Sequence, residues 1–233
     1  MSHIHGFIGR RTLLGLGMAG GISAMLGWNV KFAQATEVNR ESMTPDTALK
    51  RLLDGNQRFV EHKLQNPDRS LKRQLEIAKA QHPFAAILSC ADSRVPAEII
   101  FDEGLGDLFD VRIAGNIATP EAVGSLEYAT ALLNTPLLMV VGHERCGAVT
   151  AAVENKPLPG KIGTFAKAIA PAVTRVKDES GDPVENAVVA NVLYQIEQLK
   201  QASTLLTDLV ETGKLAIVGG RYDLDTGKVT IVT

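Results

Sequence analysis

Residues 84–94 read Phe84-Ala85-Ala86-Ile87-Leu88-Ser89-Cys90-Ala91-Asp92-Ser93-Arg94. The first six carry no charge and only one hydroxyl, which predicts a short strand over Phe84–Ser89 buried on both faces. The chain then turns polar at once. A second run of the same kind, Leu137–Gly142, ends in His143-Glu144-Arg145-Cys146-Gly147. Strands buried on both faces belong to mainly parallel sheets covered by helices. Such sheets bind ligands beyond the carboxyl ends of strands, at a switch point in strand order. Both polar segments stand at such ends.

Working outward, Leu108–Ile113 is a further strand, after the turn-rich Glu103-Gly104-Leu105-Gly106-Asp107. Leu215–Gly220 is the fourth. Lys228–Val232 is the last and is antiparallel to it, because only the turn Asp223–Gly227 separates them. Thr44-Pro45-Asp46 opens a helix, with proline tolerated in the first turn and an apolar face of Leu49, Leu52, Leu53 and Phe59. A second helix runs from about Ser70 to Ala80. Pro120–Leu133 is a helix capped by Thr119, with Glu121 in its first turn. Gly147–Glu154 begins another, broken by a loop at Asn155–Gly163. Thr164–Val176 and Val184–Gln201 complete the helices. The predicted fold is α/β: a mainly parallel four-stranded sheet with an added antiparallel edge strand, helices on both faces and an N-terminal helical arm.

The 233 residues predict one domain behind an N-terminal targeting segment. Residues 1–35 hold no acid, carry Arg10-Arg11, run apolar and Gly-rich from Leu13 to Trp28, and end in Ala33-Gln34-Ala35. This resembles a twin-arginine export signal with an A-x-A cleavage site, although Gly9 stands where Ser or Thr is common. The competing reading is an uncleaved anchor, for which a span of about 20 apolar residues is needed. Residues 36–233 form the expected functional domain. Cleavage takes Arg10, Arg11 and Lys31 with no acid, moving the net charge from −2 to −5. That balance gives no case for nucleic acid, and no stable membrane insertion is expected after cleavage. The expected location is the periplasm, with a thylakoid lumen or the extracellular space as alternatives. Twin-arginine export moves folded proteins, which suits thiolates that load metal before meeting an oxidising compartment.

Cys90, His143 and Cys146 offer two thiolates and an imidazole, a three-ligand zinc set with one position left over. Zn²⁺ lowers the pKa of bound water to about 7 and makes a nucleophile for a small electrophile. Two thiolates leave the zinc formally neutral, so its neighbours must help. Asp92 can accept the hydrogen bond of the hydroxide, or can itself take the fourth zinc position in an inactive state. Arg94 can hold Asp92 by a bidentate pair. The plainer alternatives are a Cys90–Cys146 disulfide, a structural histidine and a loop salt bridge. Gly142 and Gly147 are expected to give tight backbone passage around the ligands. Arg145 has no expected role.

Cys-x-Asp-Ser-Arg followed by His-x-x-Cys-Gly resembles the β-class carbonic anhydrases. The likeness extends from about Thr44 to the end and takes in Phe109–Asn116, Gly124–Ala129 and Tyr222–Gly227. It implies zinc on Cys90, His143 and Cys146, an Asp92–Arg94 catalytic dyad, and reversible hydration of carbon dioxide to bicarbonate and a proton. It also implies a substrate pocket of Gln81, Phe109, Ala114 and Tyr128, with Gln81 and Tyr128 given across a dimer interface. The implied assembly is a homodimer or higher homo-oligomer, with the helices of Thr44–Ala80 as candidates for wrapping the neighbour. One branch of the family carries a tryptophan three residues before the first cysteine, at a regulatory bicarbonate pocket. Ile87 stands there, which argues against that pocket. Relatives that hydrolyse carbonyl sulfide or carbon disulfide share the motifs. A structural zinc protein with Asp92 always bound to the metal is the non-enzymatic alternative.

Overall fold

The computed structural model describes residues 43–232; the expected export segment, 1–35, lies outside them. Helix α1 (Pro45–Val60) starts where the sequence predicts: Thr44 Oγ1 accepts the Thr47 N–H at 3.2 Å and Pro45 opens the first turn. Helix α2 is shorter than predicted, Leu71–Ile77 with Ser70 as its cap. Strand β1 (Ala85–Ser89) leads into a helical turn α3 (Ala97–Ile100) that periodicity could not resolve in four residues. Strand β2 is Leu108–Arg112 and helix α4 is Pro120–Glu127, capped by Thr119. The predicted helix to Leu133 widens into a π turn over Tyr128–Leu132, where Leu133 N–H reaches back five residues to the Tyr128 carbonyl. Thr130 Oγ1 competes there by donating to the Leu126 carbonyl at 2.8 Å.

Strand β3 (Leu137–His143) includes His143 as its last residue, rather than ending before it. Helices α5 (Gly147–Glu154), α6 (Gly163–Arg175) and α7 (Pro183–Ala202) match their predicted positions to within a residue or so. Helix α8 (Thr204–Glu211) was not predicted; Ser203 caps it immediately after α7, so no breaker residue separates the two. Strand β4 is Ala216–Tyr222, two residues longer than predicted at its end, and β5 is Val229–Val232.

The five strands lie in the order β2-β1-β3-β4-β5, with the first three pairings parallel and β4–β5 antiparallel. After β1 the chain moves to one side to make β2, then returns to the other side to make β3. The switch point therefore falls between the ends of β1 and β3. Side-chain alternation divides the core. Ala85, Ile87, Met139 and Val141 meet α1 and α3 on one face. Ala86, Leu88, Leu138 and Val140 meet α4, α7 and α8 on the other. Helix α7 approaches closely: a Cβ on Gly142 would lie 2.6 Å from Val192 Cγ2. Gly142 thus serves close passage as expected, whereas Gly147 has open space around it.

The N-terminal arm belongs largely to its own sheet. Ala48 and Leu52 of α1 are fully buried. Asn56, also buried, donates Nδ2 to the carbonyls of Ile100 and Gly227 and accepts the Val229 N–H at 2.8 Å. Arg58 pairs with buried Asp102 at 2.6 Å, and Asp102 also accepts the Gln65 and Asn66 N–H groups. One face of α1 is thus committed to its own core. Leu71 and Leu75 of α2 remain exposed.

Candidate metal centre

Cys90 leaves the end of β1, and His143 ends the adjacent β3. Cys146 caps the N-terminus of α5 three residues later. The three ligand atoms lie within 4.8 Å of one another, and all three residues are buried. Both cysteines are free, with their sulfurs 3.9 Å apart. Two thiolates at about 2.3 Å on a tetrahedral zinc stand roughly 3.8 Å apart, so the observed spacing fits one ion between them. The imidazole fits as well. His143 Nδ1 lies 2.9 Å from the Glu144 carbonyl and must donate to it. Nε2 is fully buried and has no hydrogen-bond partner in the protein. A buried polar atom of this kind needs something to bind.

The two thiols are electrostatically unequal. Cys90 is pushed down by a hydrogen bond from Cys146, against burial, with further help from the N–H of Gly115 at 3.3 Å. Cys146 is pushed up, first by the same bond to Cys90 and then by burial. One sulfur is thus held as a thiolate at the expense of the other, a pair that a dication would ionise fully.

Asp92 stands beside this set. Arg94 Nε and Nη2 donate to its two carboxylate oxygens at 2.9 and 2.8 Å, and Arg94 N–H adds a third bond at 2.9 Å. These bonds hold the Asp92 carboxyl well below the usual carboxylate range. Its Oδ2 nevertheless remains 3.8 Å from His143 Nε2, next to where a ligand of that nitrogen sits.

Several contributors lay beyond sequence reasoning. Arg112, at the end of β2, donates to the Cys90 carbonyl at 3.2 Å and to the Asp92 carbonyl at 2.6 Å, bracing the whole Cys90–Asp92 turn. Arg145, given no role beforehand, adopts φ 51° between His143 and Cys146. Its guanidinium forms a bidentate pair with Asp225 at 3.0 and 2.6 Å, tying the ligand turn to the β4–β5 hairpin.

The four expected pocket residues are not gathered around the ligands within this chain. Ala114 follows β2 and is half-buried in the cluster that contains Cys90 and Cys146. Phe109 pairs in register with Ala86, four residues before Cys90, which is about 13 Å along the strand. It stacks on Tyr128 with ring centroids 6.1 Å apart, and Tyr128 is 45% exposed. Gln81 is exposed in the connection from α2 to β1.

Two cysteine sulfurs and an imidazole converging at the switch point of a parallel sheet, beside an ionised carboxylate, define an α/β protein with a buried residue group that could hold a metal ion. The sequence profile of the carbonic anhydrases matches residues 85–229. The chain is 40% identical over 191 residues to carbonic anhydrase 2 of Mycobacterium tuberculosis, covering 80% of this chain and 92% of that one. It is 37% identical to a carbonic anhydrase of Mycolicibacterium smegmatis over 80% of this chain and 93% of the relative. The solved structure of the β-carbonic anhydrase CcaA superposes with a TM-score of 0.62 at 29% identity, covering 78% of this chain and 86% of that one. A tetrameric β-carbonic anhydrase of the filamentous ascomycete Sordaria macrospora shares the fold, with a TM-score of 0.64 at 23% identity over 78% of this chain and 95% of that one. The chain belongs to the β-class carbonic anhydrase family and is an enzyme of that class.

Proposed function

We propose that this enzyme reversibly hydrates carbon dioxide to bicarbonate and a proton, with Zn²⁺ held by Cys90, His143 and Cys146. The observation that carries this reading is the buried, unpartnered His143 Nε2 between two facing sulfurs, with a clamped Asp92 alongside. When bound there, zinc would lower the pKa of a coordinated water to about 7 and so supply a nucleophile at neutral pH.

The protein's own residues supply the rest. Asp92, kept ionised by Arg94, can only accept hydrogen bonds at neutral pH. It therefore orients the attacking oxygen through its proton and leaves a lone pair free for the electrophile. Its depressed pKa makes it a poor resting place for the released proton, so the proton leaves to solvent or buffer. Arg94 keeps Asp92 from turning toward the ligand set. Arg112 fixes the backbone that carries both Cys90 and Asp92.

The same reading extends to assembly and location. Exposed Tyr128 and Gln81, and the tetrameric form of the Sordaria relative, support a homo-oligomer in which a partner's Gln81 and Tyr128 complete the pocket around Phe109 and Ala114. Arg10-Arg11, the apolar run after them and Ala33-Gln34-Ala35 support export by the twin-arginine route to the periplasm, with cleavage near residue 35. Among the described residues, no helix is long and apolar enough to cross a membrane.

Stopped-flow turnover of carbon dioxide, carbonyl sulfide and carbon disulfide by zinc-loaded protein tests the reaction. Carbon dioxide should be turned over far faster than the other two. Preference for either sulfur gas would replace the substrate, and no turnover of any would favour a structural zinc.

A further inference from the structure

Gly115 is gripped on both of its peptide groups. Its N–H donates to Cys90 Sγ at 3.3 Å, and its carbonyl accepts from Asn191 Nδ2 at 2.9 Å. Asn191 lies on α7, is fully buried, and stands 76 residues away in sequence. One helical turn on, buried Gln195 donates Nε2 to Asn191 Oδ1 at 2.9 Å. Gln195 Oε1 in turn accepts the N–H of Ala118 at 2.9 Å.

The direction of every bond in this chain follows from its first donor. A backbone N–H can only donate, so Ala118 requires the oxygen of Gln195. That leaves the Gln195 amino group for Asn191, which must answer with its oxygen. The Asn191 amino group then faces the Gly115 carbonyl, where a donor is needed. The two amides sit on a helix face whose neighbours, Val188, Val192 and Leu199, are buried and apolar. Nothing about packing that face calls for two carboxamides. What they contact is the 115–118 segment, gripped at both ends.

Within the segment, Asn116 N–H donates to the Ile113 carbonyl at 2.9 Å and Thr119 N–H to the Ile117 carbonyl at 3.0 Å, but neither bond engages the Gly115 N–H or carbonyl. Gly115 is at φ 73° and Asn116 at φ 45°, two successive residues in the left-handed region. The Gly115 N–H and carbonyl belong to different peptide planes. A grip on the carbonyl therefore acts on the N–H by fixing the torsions of Gly115, not by polarising a shared amide.

We propose that Asn191, oriented by Gln195, is a positioning residue of the metal centre: it holds the Gly115 N–H against the Cys90 thiolate and so slows loss of the metal. The proposal rests on Cys90, His143 and Cys146 being the zinc ligands. It assigns Asn191 and Gln195 no contact with substrate.

Zinc-loaded Asn191→Leu, Gln195→Met and parent protein would be compared for zinc release to a chromophoric chelator. The cobalt-substituted forms would be compared for the thiolate-to-cobalt charge-transfer band. Loss of a group that orients a metal ligand typically costs about 10–100-fold. Asn191→Leu should release zinc faster by that order and shift the band; Gln195→Met should move both less, in the same direction. Leu199→Ala, on the same helix and fully buried, should lower the melting temperature and leave zinc release and band at parent values. Release at the parent rate in both amide variants, or equal acceleration by Leu199→Ala, would overturn the proposal. If Asn191→Leu does not fold, Gln195→Met decides by the same criteria. Parent protein that takes up no stoichiometric zinc would defeat the ligand reading instead. The brace is then judged on Gly115 amide hydrogen exchange, which should be at least about tenfold faster in Asn191→Leu; an unchanged rate overturns it.

Discussion

Replacing Gly115 by alanine should damage the fold and the metal centre together, by an amount the structure defines. Gly115 has φ 73° and ψ 21°. A non-glycine residue in that left-handed region costs about 1–2 kcal/mol. The added Cβ would also lie 2.5 Å from Ile169 Cδ1 and 3.1 Å from Ala148 Cβ. Ile169 is fully buried, and Ala148 sits two residues after Cys146 on α5, so neither moves freely. Overpacking of this kind costs about 1–3 kcal/mol. The sum for Gly115→Ala is roughly 2–5 kcal/mol. Urea denaturation of the zinc-loaded protein measures it. Gly163→Ala is the matched control, because its Cβ would meet nothing within 4 Å and its φ is not positive; it should stay within about 1 kcal/mol of the parent or gain slightly. Ile169→Val deletes the nearest clashing atom. The double variant Gly115→Ala/Ile169→Val should therefore be less destabilised than the sum of the singles, by about 1 kcal/mol. A Gly115→Ala protein within 1 kcal/mol of parent, or strict additivity with Ile169→Val, would refute this account of the segment.

Asp92→Asn keeps the shape but offers a donor where an acceptor is needed, and should cost about 10²–10³-fold in kcat with zinc content unchanged; metal analysis beside stopped-flow rates checks it. Asp110, on edge strand β2, is pushed up to about 6 by burial and next by Glu98. A raised carboxylate pKa in the folded state favours folding at low pH, and stability falls as pH rises from about 4 to about 6. Asp110→Asn should therefore be more stable than parent by about 1–2 kcal/mol at pH 8, with the difference vanishing near pH 4; urea midpoints at the two pH values would show otherwise if the reasoning fails. Asn56→Leu leaves two carbonyls and one N–H without their buried partner and should cost about 3 kcal/mol or more by the same denaturation assay.

The parts of this protein that sequence alone reveals are those whose cause is local. The uncharged runs of β1 and β3 announce buried parallel strands with Cys90 and His143 at carboxyl ends, whereas that the two strands are neighbours comes only from the strand order β2-β1-β3-β4-β5. The His-x-x-Cys spacing brings Cys146 to the same place, because only three residues, the last of them Cys146, join the strand end at His143 to the helix start at Gly147. Thr44 and Thr119 cap the helices they precede, as expected; Ser70, expected as the first residue of α2, caps it instead. Other parts depend on partners far along the chain. The amides of Asn191 and Gln195 look like polar residues on an exposed helix face until the fold buries them against Gly115 and Ala118. Asn56 gains its three partners only when α1 crosses α3 and the β4–β5 hairpin. Arg145 finds Asp225 80 residues on. Gly147 differs for the opposite reason: a glycine beside a ligand suggests crowding, yet a Cβ there would meet nothing within 4 Å. The boundaries at α8 and the π turn differ where a cap or a hydroxyl outweighs helical periodicity.

On the proposed function, Cys90, His143 and Cys146 hold a zinc that works with Asp92 on carbon dioxide. Exchange of ¹⁸O between labelled carbon dioxide and water at chemical equilibrium, followed by mass spectrometry, tests it most directly. Zinc-loaded protein should speed depletion of the label far above the buffer rate near pH 8, and a Cys146→Ser variant of equal concentration should lose that acceleration together with its zinc. Label depletion at the buffer rate by protein carrying one zinc per chain would contradict the account.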